Sequence, residues 1–164
     1  MQGARLAGAV KIIAVDRVDA KLDLARQLGA TDTVNAARFD PVAEIIGMTG
    51  GGVHFSFEAV GLKVTAEQAF NALRPGGTAT VIGMIPIGEL LEIPGAALLP
   101  EKKLQGSIMG SNRFRIDMPA YIELCRQGRL KLDELVSAHI GLDDINDGYA
   151  EMKKGEIARS VIMF

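Results

Sequence analysis

Tryptophan is missing from this sequence, and other rings are scarce: two tyrosines, six phenylalanines and two histidines in 164 residues. Stacking of bases needs aromatic platforms and phosphate binding needs surplus cations, yet Lys and Arg number 18 against 20 Asp and Glu. Neither nucleic acid nor a membrane surface is an expected partner. No apolar run approaches the roughly 18 residues that a membrane span requires. The opening MQGARLAGAV has no charged segment followed by an apolar one, as a secretory leader has, so the expected location is cytoplasmic. Cysteine is almost absent, and Cys125 alone cannot close an internal disulfide. His54 and His139 are isolated from it and from each other, so no spacing fits a metal cage and no residue is nominated as catalytic.

What the sequence does contain, over its first two thirds, is an alternation of two periodicities. KIIAVD and GTATVIG are short β-branched runs of the kind buried in parallel sheets, and HFSFEAV adds aromatics. Helical stretches separate them. Asp19 is placed to cap a helix whose Leu22, Ala25 and Leu28 share a stripe, with Gly29 to stop it. Asp40-Pro41 opens a second helix, carrying Val42, Ile45 and Ile46 inward. Thr65 and Gln68 have the spacing of a capping box, and Ala66, Ala69, Phe70 and Leu73 line one face before RPGG, whose Gly76 and Gly77 read as a helix stop and turn. Strands alternating with helices predict a doubly wound parallel sheet.

Beyond Gly110 the pattern changes. Asp117 and Pro119 open a helix with Met118, Tyr121, Ile122 and Cys125 on one side; DDINDGYAEMKKG aligns Ile145, Tyr149 and Met152 on another, and SVIMF reads as a short last strand. Two helices and one strand make a poor core by themselves, so this tail is expected to pack on something larger.

Asp16 closes KIIAVD, and an acid there has two readings. It is a solvated strand end, or it is the acid that bonds the adenosine ribose of a dinucleotide about 20 residues after a glycine loop. Counting back by that rule passes Met1, so the loop and a first strand are expected to lie outside these residues. Lys21 has the same ambiguity, as a second ribose contact or a solvated charge at a helix start. Arg159 is open in the same way, as an anion ligand or a surface charge before a strand.

Taken in order and spacing, QLGATDTVNA, GGVHFSFEAVG, ALRPGGTATVIGM and ARSVIMF resemble the zinc-containing medium-chain alcohol dehydrogenases. The resemblance runs from residue 1 to residue 164 but covers only the carboxyl-terminal part of that family's chain. It implies an α/β fold, an incomplete doubly wound (Rossmann-type) parallel sheet with a carboxyl-terminal helical and strand tail from a catalytic domain. Residues 1–110 would be the truncated NAD-binding domain and residues 111–164 the catalytic-domain tail.

The same resemblance implies roles. Asp16 would select NAD over NADP and Lys21 would bond the adenosine ribose. Val60 and Gly61 would stand beside the cofactor, and the backbone of Ile82, Gly83 and Met84, with Ser107 and Met109, would hold the nicotinamide carboxamide. Arg159 would meet the pyrophosphate. Zinc belongs to full-length relatives, its ligands being absent from these residues. The implied activity is hydride transfer between a small alcohol or carbonyl substrate and NAD, with this chain alone inactive, and the implied partner is a second copy, paired through the sheet edge near residues 101–110. Glu101, Lys102 and Lys103 read alternatively as charges that protect that edge. Competing functions are a zinc-independent quinone or enoyl reductase of the same superfamily and a non-catalytic nucleotide-binding or dimerisation module. A methyltransferase also places an acid after its second strand, but ARSVIMF speaks against it.

Overall fold

A computed structural model describes residues 1–155 and 159–164. In chain order its elements are α1 (Gln2–Leu6), β1 (Ile13–Asp16), α2 (Asp19–Gln27), β2 (Asp32–Asn35), α3 (Pro41–Thr49), β3 (Val53–Glu58), α4 (Lys63–Asn71), β4 (Leu73–Val81), β5 (Lys103–Gly106), α5 (Phe114–Arg126), β6 (Ala138–Gly141), α6 (Ile145–Lys154) and β7 (Ser160–Met163). The fold is α/β, and every strand pair among the described residues is parallel. The chain divides into two compact units, Met1–Arg38 with Arg113–Phe164, and Phe39–Asn112.

In the first unit, β1 and β2 pair through a right-sized crossover, with Ile13 opposite Asp32 and Asp16 opposite Asn35. The crossover helix α2 buries Leu22, Ala25 and Leu28, the stripe read from the sequence, and Gly29 follows it with φ +108°. Asp19 does not cap this helix. It lies in the first turn, and its carboxylate is engaged by Asn35 Nδ2 (2.6 Å) and the Arg38 guanidinium.

The carboxyl-terminal segment of this unit adds α5, α6 and the parallel pair β6–β7; the predicted last strand is β7, and β6 was not anticipated. Its helix α5 begins at Phe114, earlier than Asp117 and Pro119 suggested. The Asp117 carboxylate accepts from the Arg113 N–H (2.7 Å), one turn back, while Pro119 sits inside the helix. The expected buried stripe is not buried: Met118, Tyr121 and Ile122 are exposed and Cys125 is half-buried. Tyr149 and Met152 of α6 are exposed too, whereas Gly148 packs so closely that a Cβ there would stand 2.7 Å from Ile140 Cδ1. The loop after α5 is tied to α1 by reciprocal bonds, Gln2 Nε2 to the Lys131 carbonyl and the Lys131 N–H to Gln2 Oε1, both 2.7 Å.

The second unit is built on the sheet β3–β4–β5. Its core is Phe70, Leu73 and Ala79, all fully or almost fully buried, with Val53, Ala69, Ile93, Ala97 and Leu104 packed around them. Phe70 and Ala66 face this core from α4 as expected, but Leu73 belongs to β4. RPGG is a bulge inside the β3–β4 ladder, where register passes from Val53–Leu73 to Phe55–Thr78 and Gly76 takes φ +75°. Asp40 caps α3 by accepting from the Val42 N–H (2.9 Å), and Gly50 ends it with φ +63°. Ile45 is buried there, while Ile46 turns out to solvent. Among the described residues the outer edge of β5 has no strand partner.

Candidate functional site

In an open parallel sheet, ligands bind beyond the carboxyl ends of the strands, because there the loops converge and backbone N–H groups point outward. In the second unit three predicted segments gather at those ends. Val60 and Gly61 follow Glu58 at the end of β3, Ile82 to Met84 follow Val81 at the end of β4, and Ser107 to Met109 follow Gly106 at the end of β5. Hydrogen bonds join them in sequence. The Glu58 carbonyl accepts from the N–H groups of Ile82 (2.8 Å) and Gly83 (3.1 Å), and the Val81 carbonyl accepts from Ser107 N–H (2.9 Å).

Two of these positions demand glycine. A Cβ on Gly83 would stand 2.2 Å from Gly61 N, and one on Gly61 would stand 2.6 Å from the Met84 carbonyl oxygen. The backbones of the two loops therefore touch, and the surface they present is backbone rather than side chain. Around it Val60, Ile82, Met84 and Met109 are exposed, with Met84 at 91% and Met109 at 88%. Exposed apolar side chains rimming a bare backbone platform suit a flat, partly apolar ring system. Met109 and Ser111 take φ +47° and +53° on either side of Gly110, and the hydroxyls of Ser107 and Ser111 lie 3.2 Å apart.

Sequence reasoning passed over Glu58, the most buried acid of this cluster. Its Oε1 accepts from Val60 N–H (2.7 Å), Gly61 N–H (2.7 Å) and Thr65 Oγ1 (2.8 Å). Thr65 is thus committed to Glu58, and to the Leu62 carbonyl at 2.9 Å, rather than to a capping box with Gln68. The available signal was a single carboxylate in the apolar run HFSFEAV, a placement that burial forbids without donors.

The remaining candidates lie in the first unit. Asp16 ends β1, and its Oδ1 accepts from the N–H groups of Arg17 (2.7 Å) and Val18 (3.0 Å). That turn fixes the carboxylate and leaves Oδ2 with no protein partner among the described residues. Lys21, in the first turn of α2, has no carboxylate partner among the described residues, and its Nζ stands 3.9 Å from where a Cβ on Gly155 would be. Arg159 is exposed beside β7, with its carbonyl accepting from Ser137 N–H at 2.7 Å. Its neighbour Ala158, part of the ARSVIMF motif, lies outside the described residues.

The nearby titrations have plain causes. The hydrogen bond from Asn35 lowers the Asp19 carboxyl below its ordinary range and the Arg38 cation adds to this, against partial desolvation. In the second unit the hydrogen bond that the Lys63 ammonium donates to the Glu92 carboxylate raises Lys63, and the same bond lowers Glu92.

Zinc fits none of this. Among the described residues no three His, Cys, Asp or Glu side chains gather as a metal site. His54 Nε2 is engaged with Arg74 Nη1 at 3.1 Å, His139 lies on β6, and Cys125 on α5. No step through a metal is assigned to these residues. Also among them, no helix is long and apolar enough to cross a membrane.

The chain is 35% identical to an S-(hydroxymethyl)glutathione dehydrogenase of Synechocystis sp., across 100% of this chain and 45% of that protein. The solved structure of benzyl alcohol dehydrogenase from Acinetobacter calcoaceticus superimposes with a TM-score of 0.94 at 34% identity, covering 98% of this chain and 44% of that one. A zinc-binding dehydrogenase from Sinorhizobium meliloti, described as putative and solved bound to NADP, gives 0.81 at 35% identity over 89% of this chain and 43% of its own. The chain thus spans rather less than half the length of the relatives it matches. The zinc-binding dehydrogenase family model matches residues 1–127, and the chain belongs to that family.

Proposed function

We propose that this chain is the cofactor-binding part of an NAD-linked alcohol dehydrogenase, with residues 1–110 forming most of a dinucleotide domain and residues 111–164 returning to a catalytic domain. The observation that carries this reading is the end-to-end likeness to alcohol-oxidising relatives, at 32–35% identity for the first two curated ones. The fit of a dinucleotide rests on two features. Asp16 offers a carboxylate oxygen that no donor among the described residues uses, as a ribose acceptor requires, and Gly61 and Gly83, having no Cβ, let two loop backbones meet at the carboxyl ends of the strands.

In this reading Asp16 and Lys21 hold the adenosine ribose, and Arg159 meets the pyrophosphate. Val60, Gly61, Ile82, Gly83, Met84, Ser107 and Met109 orient the nicotinamide. NAD, when bound, supplies the hydride acceptor that turns an alcohol into an aldehyde or ketone. The chain's own contribution is to hold and orient. A carboxylate at Asp16 disfavours a 2'-phosphate, so the preference is for NAD over NADP.

The test is oxidation of primary and aromatic alcohols by the intact protein with zinc and either dinucleotide. NAD-dependent carbonyl formation is the expected result. A folded protein that binds neither NAD nor NADP overturns the reading, and NADPH-dependent reduction of quinones without alcohol oxidation replaces it with the reductase alternative.

A further inference from the structure

We propose that Glu58 is a positioning residue for the nicotinamide half of the cofactor, acting through the two loops it ties together. The inference rests on the proposed dinucleotide site and goes beyond it, since Glu58 is not among the residues that would touch the ligand. Glu58 is 3% exposed at the carboxyl end of β3. Three donors converge on its Oε1, from Val60, Gly61 and Thr65, and two more on its carbonyl, from Ile82 and Gly83. One residue therefore holds both loop backbones, and through Thr65 it also holds the first turn of α4.

The chemistry asks for an acceptor that donates nothing. Oε2 is buried with no hydrogen-bond partner among the described residues, and it faces the Cα side of Gly83, where a Cβ would stand 2.6 Å away. Glutamine would set an NH2 in this buried place, two donors where the native side chain presents an oxygen. Aspartate is one methylene short of the three donors. A hydrophobe would take the acceptor from the Val60 and Gly61 N–H groups and leave the Thr65 hydroxyl only the Leu62 carbonyl. The side chain holds the Val60–Gly61 backbone through Oε1 while the main-chain carbonyl of the same residue holds Ile82 and Gly83, and with both in place the two loops present their outer faces together. Loosening this hold blurs the nicotinamide platform, while Asp16 and Lys21, which hold the adenosine side, share no bond with Glu58.

The experiment titrates the intact protein and its Glu58→Gln variant with NAD and with ADP-ribose, which lacks the nicotinamide, and follows amide hydrogen exchange at Val60, Gly61 and Gly83. Expected are a loss of about tenfold in NAD affinity, less than about twofold for ADP-ribose, and faster exchange at Val60 and Gly61, with a smaller change at Gly83, whose N–H stays on the main-chain carbonyl. Thr65→Val, which removes one donor without changing volume, should shift NAD affinity the same way by a smaller factor, and it carries the test if Glu58→Gln does not fold. Parallel loss of both ligands makes Glu58 merely structural and overturns the proposal. Unchanged exchange at Val60, Gly61 and Gly83 overturns the tie itself. If the unaltered protein binds neither ligand, the dinucleotide reading has failed, and exchange still decides whether Glu58 ties the loops.

Discussion

Asp16 and Gly83 show how little a residue's type says until its neighbours are known. Asp16 is held by its own turn, with one oxygen on the N–H groups of Arg17 and Val18 and the other open among the described residues. If the open oxygen takes the ribose hydroxyls, Asp16→Gly removes both an acceptor pair and the charge that repels a 2'-phosphate. The ratio of NAD to NADP affinity in the intact protein should then fall by about tenfold or more; an unchanged ratio removes Asp16 from the site. Gly83 is a matter of space. A Cβ 2.2 Å from Gly61 N has nowhere to go, because the obstacle is backbone. Gly83→Ala is expected to cost about 3 kcal/mol or more in urea unfolding, at or above the usual range for overpacking. Gly3→Ala, with nothing near its Cβ, is the control and should leave stability unchanged or raise it.

Among the elements, those decided by local chemistry were legible and those decided by tertiary partners were not. Helix α3 begins at Asp40-Pro41 and stops at a left-handed glycine, Gly50, so both ends follow from residues next to the boundary. Helices α2 and α4 were found from their apolar stripes, but their capping was misread. Asp19 is bonded by Asn35 from β2, and Thr65 by Glu58 from β3, neither visible at short range. The Asp19 arrangement makes a pH prediction. Its carboxyl is lowered by the Asn35 hydrogen bond and the Arg38 charge, so its contribution is complete above the ordinary aspartate range and is lost as pH falls through the lowered value. Stability of the Asp19→Asn variant should therefore converge on that of the parent in strong acid and diverge above it, in unfolding followed across acid pH. In the second unit, Phe70 is fully buried between α4 and the sheet. Phe70→Ala should cost about 3–5 kcal/mol, read from the urea midpoint.

At the scale of the whole molecule, the alternation of strand and helix was enough to indicate a parallel α/β fold, while the candidate site was only half legible. The glycines and the acid of the site stand in short motifs, but Glu58 acts through five hydrogen bonds from residues up to 25 positions away, which no local pattern encodes. The expected pairing of two copies through residues 101–110 also becomes specific only with the structure. Lys102 does not guard the edge, because its ammonium lies 5.6 Å from the Phe70 ring centre. Beyond β4, the outer side of β5 has no strand partner among the described residues and presents an edge of backbone groups. Residues alternate in direction along a strand, and Ser107 N–H points inward to the Val81 carbonyl, so the N–H of Gly106 points outward. Gly106 has no atom within 4 Å of an added Cβ and no positive φ, so a side chain there meets no obstacle. If copies pair along β5, the intact protein sediments as a dimer at micromolar concentration. Gly106→Pro, which deletes the outward donor but no β4–β5 bond, should then weaken the dimer by about tenfold, roughly 1.4 kcal/mol, in protein that circular dichroism finds folded. A parent that is folded and monomeric at that concentration, or a dimer indifferent to the proline, places the interface elsewhere.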